Sequence, residues 1–547
     1  MGVRAQGEYT VRVIVDLTRC QGYGQCAFLA PEVFAMRGEE ALVYDPDADD
    51  AQREHVLRAA AACPVQAIHV EWMAIQHKGM RTAAARPPRG DDDGFRKTGH
   101  IVIVGASLAG GRAAGVLRRE GFTGALTVIG DELYEPYDRP PLSKQVLAGR
   151  VPADHTLLPH LSEIEAEWLS GAPATGLDLV AKRVTLADGR EVPFDRLLIA
   201  TGARARPWPN EAEAALDGVL ALRTMDEAIG LRECLAAGPR RVLVIGAGFT
   251  GSEVASVCRE LDVPVTVVER GPAPLVGALG GVIGAVAADL QRAHGVDLRC
   301  GVTVEALEGD ADGRFRSAQL SDGTTVEADV AIVALGAIRN VEWLEDSGLA
   351  AGVWGVACDA GCRAFDINGL VTDDVFVAGD VARFPHPIYS YQFMALEHWG
   401  NAVAQAEIAA HNMLSDQMHR WPHLSLPIFW SNQFGTNIKS VGVPTFADEV
   451  AIAHGSVAER RFVAVYGNQG RVTAAVTFDQ AMWLEHYQHL IERAAPFPPA
   501  SHTADRRGPM IPVPAEVPER IEATQVTVVV TGHDPAERRA SLVRGNR

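Results

Sequence analysis

Residues 240–270 read RRVLVIGAGFTGSEVASVCRELDVPVTVVER, and the order of these residues decides the fold. The apolar run VLVI is too short for a helix and suits a strand buried on both faces. Gly246, Gly248 and Gly251 follow at the spacing of a dinucleotide fingerprint, and an amphipathic helix pattern follows them. The first glycine makes the tight turn, the second lets the backbone approach a pyrophosphate, and the third lets helix pack against strand. The next apolar run ends in Glu269, whose carboxylate can accept hydrogen bonds from ribose hydroxyls and would repel a 2′-phosphate. NADH is therefore favoured over NADPH, although Arg270 directly afterwards could hold that phosphate.

Working outward, residues 100–121, HIVIVGASLAGGRAAGVLRREG, repeat the pattern, with Gly105, Ser107 in place of the middle glycine, and Gly110. Alone this copy also fits a plain β-α turn. Three later stretches strengthen it: LLIATG at 197–202 and AIVALG at 331–336 read as strands ending in small-residue turns, and DDVFVAGDVARF places Gly379 and Asp380 after a strand. A carboxylate at 380 suits the ribityl and phosphate end of a flavin. Two strand-turn-helix units so far apart imply two dinucleotide-binding domains of α/β type.

The remaining chain is divided by composition. At 547 residues it is too long for one core, and 47% hydrophobic with 22% charged residues is the balance of a globular protein. No apolar run approaches the roughly 20 residues of a spanning helix, and the start MGVRAQGEYT lacks a secretory profile. A cytoplasmic protein without membrane insertion is expected. The net charge of -19 argues against nucleic acid as a partner. Residues 8–72 form a first unit with strand-like ends, and 73–98, with mixed charges, prolines and glycines, read as a flexible linker. Such a linker has an r.m.s. span of roughly 25–30 Å. The first dinucleotide domain is assigned to 99–224 and 346–420, the second to 225–345, and a small α+β domain to 421–497. The Pro-rich tail 498–547 is expected to be partly disordered, with TQVTVVVTG able to add one strand. The fold class is thus α/β: two nested Rossmann-like domains plus a C-terminal α+β domain, preceded by a small α+β unit.

Three of the eight cysteines fall in that first unit, as Cys20-Gln-Gly-Tyr-Gly-Gln-Cys26 and later Cys63-Pro64. Thiolates are the usual iron-sulfur ligands, and the adjacent glycines let backbone N–H groups approach cluster sulfurs. The middle ligand of the bacterial four-cysteine run would fall at 23, which is Tyr23. Three cysteines favour a 3Fe-4S centre, and a 4Fe-4S cluster with a non-cysteine fourth ligand stays open. Zinc would need His55 or His69 to complete four ligands. Metal binding also suits the size, because so short a unit buries little core on its own.

With CxxYGxC, Ala30-Pro31 and Cys63-Pro64, residues 8–72 resemble the single-cluster ferredoxins of actinobacterial type that feed cytochrome P-450 enzymes. That likeness makes Cys20, Cys26 and Cys63 the cluster ligands. Residues 100 to about 497 resemble the FAD-dependent ferredoxin and rubredoxin reductases with two dinucleotide folds, including the reductase components of aromatic-ring dioxygenases. The stretches that carry this likeness are PYDRPPLSK at 136–144 and ALEHWGNAVAQA around Trp399. In that family the first fold binds FAD. The likeness implies flavin contacts at Gly105, Ser107, Gly110, Asp131 and Glu132, and at Arg139, Lys144, Arg223, Gly379, Asp380 and Trp399. It also places Glu253 near the nicotinamide, in reach of Lys144, as the catalytic pair.

A hydride carries two electrons and a single cluster accepts one at a time, so a flavin is needed to divide the pair. The region that holds a redox cysteine pair in the related disulfide reductases is PYDRPPLSKQVL here, without cysteine. Cys358 and Cys362 read as loop residues. The implied route runs from NADH to FAD, to the cluster, and on to an external acceptor, a cytochrome P-450 being expected. A Rieske-type oxygenase as acceptor, or a flavin and iron-sulfur redox sensor, are the alternatives.

Overall fold

The computed structural model describes residues 92–158 and 164–499, the strands Tyr9–Val15, Phe34–Arg37, Ala41–Tyr44, Asp47–Ala48 and Ile68–Ala74, three short tail strands, and a few single residues. Cys20, Cys26 and Cys63 lie outside the described residues. In the N-terminal unit the two strand-like ends of the sequence pair with each other, Tyr9–Val15 running antiparallel to Ile68–Ala74 over seven residue pairs.

The first dinucleotide fold is a six-stranded sheet ordered Arg363–Phe365, Val371–Val377, Arg196–Ile199, His100–Val104, Ala125–Ile129, Glu167–Leu169. All neighbours are parallel except the first two. Helices Leu108–Arg119 and Trp399–Met413 cover one face, where Ala113, Leu117, Ala406 and Ala410 meet Ile101, Ile103 and Phe376. The alternate residues Val102, Val104, Leu197 and Ile199 point to the other face, as the two-residue period of a strand requires.

After Arg196–Ile199 the chain leaves this sheet and returns through Arg363–Phe365 and Val371–Val377, the latter directly alongside Arg196–Ile199. The excursion contains the second fold, a five-stranded parallel sheet ordered Val219–Leu220, Val330–Val333, Val242–Ile245, Val265–Glu269, Asp297–Cys300. The chain crosses out and back side by side, through the antiparallel pair Ala203–Ala205 and Ala337–Arg339. Before the glycine turns, residues 101–104 and Val242–Ile245 are fully buried, which explains their unbroken apolar sequence.

The C-terminal sheet is antiparallel, ordered Ile428–Gln433, Thr436–Gly442, Arg471–Phe478, Arg461–Asn468, Glu449–Ser456, Ile511–Pro512. Along Arg461–Asn468, Phe462, Ala464 and Tyr466 face Leu279, Ile283 and Ala287 of the second fold's helix Val276–Ala293. Val463 and Val465 instead face Leu484, Tyr487 and Ile491 of the domain's own helix. The sheet is therefore sandwiched, with its edge strand Ile428–Gln433 beside the first two folds.

Two segments depart from the sequence expectation. The end of the stretch read as linker, Asp92–Thr98, is a helix: Arg196 stacks its guanidinium 3.9 Å over the Phe95 ring, and Arg96 donates to the carbonyl of Leu414. In the tail, Val526–Thr531 forms a hairpin with Arg539–Arg544.

Candidate functional site

The two glycine turns share one geometry. Gly105 and Gly246 have φ of +116° and +102°, a region that L side chains avoid. A Cβ on Gly105 would stand 2.1 Å from the carbonyl oxygen of Ala200, and one on Gly246 2.4 Å from that of Ala334. Gly110 and Gly251 lie under these turns, where a Cβ would be 1.8 and 2.0 Å from the carbonyl oxygens of Gly105 and Gly246. The middle position differs: a Cβ on Gly248 would meet no protein atom within 4 Å. The fold does not itself require a glycine there, and it accommodates Ser107 at the matching place.

The helices that follow, Leu108–Arg119 and Phe249–Glu260, have no side-chain cap. By contrast, Met225–Ala236 carries a full capping box from Thr224 and Glu227, and Asn210 caps Glu211–Ala214. The two uncapped helices thus keep their first N–H groups and the positive end of the dipole for an anion, which fits the pyrophosphates of FAD and NAD. Glu269 is held at the second turn, accepting from the backbone N–H of Ala247 at 2.8 Å and of Gly271 at 2.7 Å. Arg270 is exposed.

From the first turn a cleft of about 520 Å³ runs between the folds. Gly105, Ser107, Asp131, Glu132, Arg139 and Lys144 line it, as do Arg223, Glu253, Gly379, Asp380 and Trp399. The sequence-predicted flavin contacts are therefore brought together, except for Gly110, which packs beneath. Gly246, Gly248, Gly251 and Glu269 gather at the second turn. Opposite charges hold the walls: Arg223 pairs with Asp380 at 2.5 Å, and Arg139 pairs with Glu132 while donating to the carbonyl of Arg223 at 2.9 Å. Tyr137 joins these groups, donating to Glu132 and accepting from the Met225 N–H. Burial raises its phenol well above the ordinary value.

At the junction of the folds Lys144 donates to Glu253 at 2.8 Å, the two side chains being only 11% and 6% exposed. The prolines of Pro140–Ser143 form a short 3-10 turn that delivers Lys144 into the cleft, where its ammonium also donates to the Pro140 carbonyl at 3.1 Å. Ser143 donates to the same carboxylate oxygen of Glu253 at 2.5 Å, and Ser431 of the C-terminal domain donates to the other at 2.5 Å. A buried ion pair persists when further hydrogen bonds satisfy it, and this one has them.

Asp138 and Ser143, inside the quoted 136–144 motif, and the distant Ser431 are site groups that the sequence reading did not single out. Burial pushes the Asp138 carboxyl up to about 6, against the Trp399 hydrogen bond and the nearby Lys144 ammonium, which lower it. Burial likewise lowers His398, beside Trp399, to about 4, opposed by the Asp380 carboxylate. No cysteine lines the cleft among the described residues. Cys358 and Cys362 are fully buried in apolar surroundings that raise both thiols, a setting that keeps them unreactive.

Comparison with known proteins agrees with this geometry. Residues 99–406 match the family described as pyridine nucleotide-disulphide oxidoreductase, 15–70 the 4Fe-4S single cluster domain of ferredoxin I, and 428–510 the reductase C-terminal domain. The chain is 35% identical over 386 residues to the probable ferredoxin reductase CtmF of Castellaniella defragrans, covering 69% of this chain and 90% of that protein. It is 32% identical to the ferredoxin--NAD(+) reductase component of the biphenyl dioxygenase system of Paraburkholderia xenovorans, covering 69% and 90%. Among solved structures it is similar to the ferredoxin reductase for the CYP199A2 system from Rhodopseudomonas palustris, with a TM-score of 0.66, 29% identity, and 73% and 98% of the chains covered. The chain belongs to the pyridine nucleotide-disulphide oxidoreductase family, as an FAD-dependent NAD(P)H ferredoxin reductase with an iron-sulfur ferredoxin domain fused in front of it.

Proposed function

We infer that the chain moves electrons from NADH through its reductase to its own cluster and on to an external oxygenase, most suitably a cytochrome P-450. The observation that carries this reading is the buried Lys144–Glu253 pair, set where the flavin cleft meets the uncapped helix of the second fold. FAD, when bound, accepts an electron pair and releases electrons singly. The residues around it bind and orient. Asp380 and Arg223 suit the polar side chain of the flavin, Glu132 and Arg139 close the adenosine side, and Trp399 covers an edge of the cleft. Lys144 and Glu253 hold fixed charges beside the place where nicotinamide and flavin rings must meet. Glu269, anchored at the second turn, would accept hydrogen bonds from an adenosine ribose and supports the preference for NADH.

The cluster reading rests on Cys20, Cys26 and Cys63, with Tyr23 between the first two. Three thiolates support 3Fe-4S, with 4Fe-4S as the alternative. Iron and sulfide analysis with EPR of the anaerobically purified protein tests it: an oxidised 3Fe-4S centre is paramagnetic, an oxidised 4Fe-4S centre is not. The acceptor is tested by reconstitution. Faster NADH-dependent turnover of a cytochrome P-450 than of a Rieske-type oxygenase supports the reading, and the reverse order refutes it. Poor turnover with ferricyanide and cytochrome c alike would instead mark a sensor. The linker supports a ferredoxin unit tethered at an effective concentration near the millimolar range.

A further inference from the structure

The strand Ile428–Gln433 is counted to the C-terminal domain by its ladder, yet its side chains act on both dinucleotide folds. Trp430 sits edge-on to Trp399 of the first fold, ring centroids 6.0 Å apart. The next residue, Ser431, is fully buried and donates to the Oε1 atom of Glu253 at 2.5 Å. Just beyond the strand, the backbone N–H of Phe434 donates to Ser256 at 2.7 Å, one turn along the same helix as Glu253.

Its direction is fixed as well. The Nε2 amide of Gln433 donates to the Oγ of Ser431 at 3.0 Å. An oxygen that accepts from Gln433 keeps its own proton for Glu253, so the carboxylate is held from both sides: Ser143 and Lys144 on one oxygen, Ser431 on the other. The Oε1 atom of buried Gln433 has no hydrogen-bond partner among the described residues, a cost the fold bears while its amide N–H is kept on Ser431.

We propose that Ser431 is a positioning residue for the nicotinamide step, that Gln433 sets its hydroxyl, and that the C-terminal domain thereby completes the reductase site. The proposal rests on the reading that Lys144 and Glu253 work beside the flavin. Without the Ser431 hydroxyl the carboxylate keeps Ser143 and Lys144 on one oxygen but loses its anchor on the other, so its charge is less compensated and its plane less well fixed beside the flavin.

The test uses the purified full-length flavoprotein with Ser431→Ala, Ser431→Thr, Gln433→Leu and Lys144→Met. For Ser431→Ala the limiting rate of flavin reduction by NADH in stopped-flow is expected to fall roughly tenfold while the apparent Kd for NADH changes less than about twofold, the worth of one charge-assisted hydrogen bond. The flavin midpoint potential, measured by equilibrium titration, should move downward, because the Glu253 charge is then less compensated and disfavours the reduced, more negative flavin. Ser431→Thr should restore both, and Gln433→Leu should fall between. Wild-type rate and potential in Ser431→Ala, with Lys144→Met still slow, would overturn the proposal and leave Ser431 a packing residue. If Ser431→Ala does not fold, a folded Gln433→Leu with wild-type rate and potential overturns it in the same way. An unimpaired Lys144→Met would instead remove the reading on which the proposal stands.

Discussion

Trp399 donates its indole N–H to the Oδ1 atom of Asp138 at 2.8 Å, tying the first turn of helix Trp399–Met413 to the loop that delivers Lys144. The partner of that indole is a carboxyl that burial pushes up to about 6. The fold therefore tolerates the neutral acid better than the carboxylate, and the pH dependence follows from that sign.

A group whose folded value is raised contributes stability that is full below its ordinary value, here 3.8, and is lost as pH rises to about 6. Asp138→Asn keeps an acceptor for Trp399 and has no proton to lose. Denaturant melts of wild type and variant are expected to diverge across that window, the variant gaining at most about 3 kcal/mol relative to wild type by neutral pH. A constant difference between pH 4 and pH 7 would show that Asp138 does not titrate there.

Lys144→Met removes the cation and leaves Glu253 buried without it. Stopped-flow flavin reduction should slow by at least about tenfold, and stability should drop by about 3 kcal/mol, the cost of breaking a buried pair. Adding Glu253→Gln should restore most of the stability and none of the rate. Recovery of both would mean the charges have no part in the chemistry.

The glycine turns separate fold from ligand. Gly105→Ala is strained by its φ and by the Ala200 carbonyl, so the purified protein should retain little flavin, read from its visible absorbance relative to protein. Gly248→Ala meets no protein atom, so its melting temperature should match wild type while the KM for NADH rises by roughly tenfold. A lowered melting temperature with an unchanged KM would reverse the assignment of that position.

Glu269 holds the second turn through Ala247 and Gly271 and is expected to meet the ribose. Glu269→Gln removes the charge that repels a 2′-phosphate. The ratio of kcat/KM for NADPH to that for NADH should rise by about tenfold. An unchanged ratio would transfer the discrimination to another group, Arg270 being the nearest.

Local signals were the legible ones. The two glycine turns announce themselves because turn geometry and close backbone approach demand particular residues within a few positions, and the 136–144 motif was legible through the family resemblance. The same resemblance pointed to Glu253 and to its partner Lys144, 109 residues away. Ser431, 178 residues from Glu253, gave no sign, since a serine in a β-strand carries no distinctive pattern. Burial of Asp138 was equally hidden: an aspartate between tyrosine and arginine reads as surface until Trp399 covers it. The helix Asp92–Thr98 was obscured by acidic and glycine-rich neighbours, and its order comes from Arg196 and Leu414, contacts made only on folding. The strand Val219–Leu220 is two residues long and enters the second sheet solely by pairing with Val330–Val333.

The chain's exit and re-entry beside one strand has a consequence for biosynthesis. Arg196–Ile199 is paired on one side by His100–Val104 as soon as it emerges, but its other edge waits for Val371–Val377. A ribosome must translate the entire second fold before that edge is covered, so the flavin fold is completed after the second fold although its first strand is made early. A nascent chain stalled or cleaved within 206–336 would present an open apolar strand, the kind of template on which other chains pair wrongly.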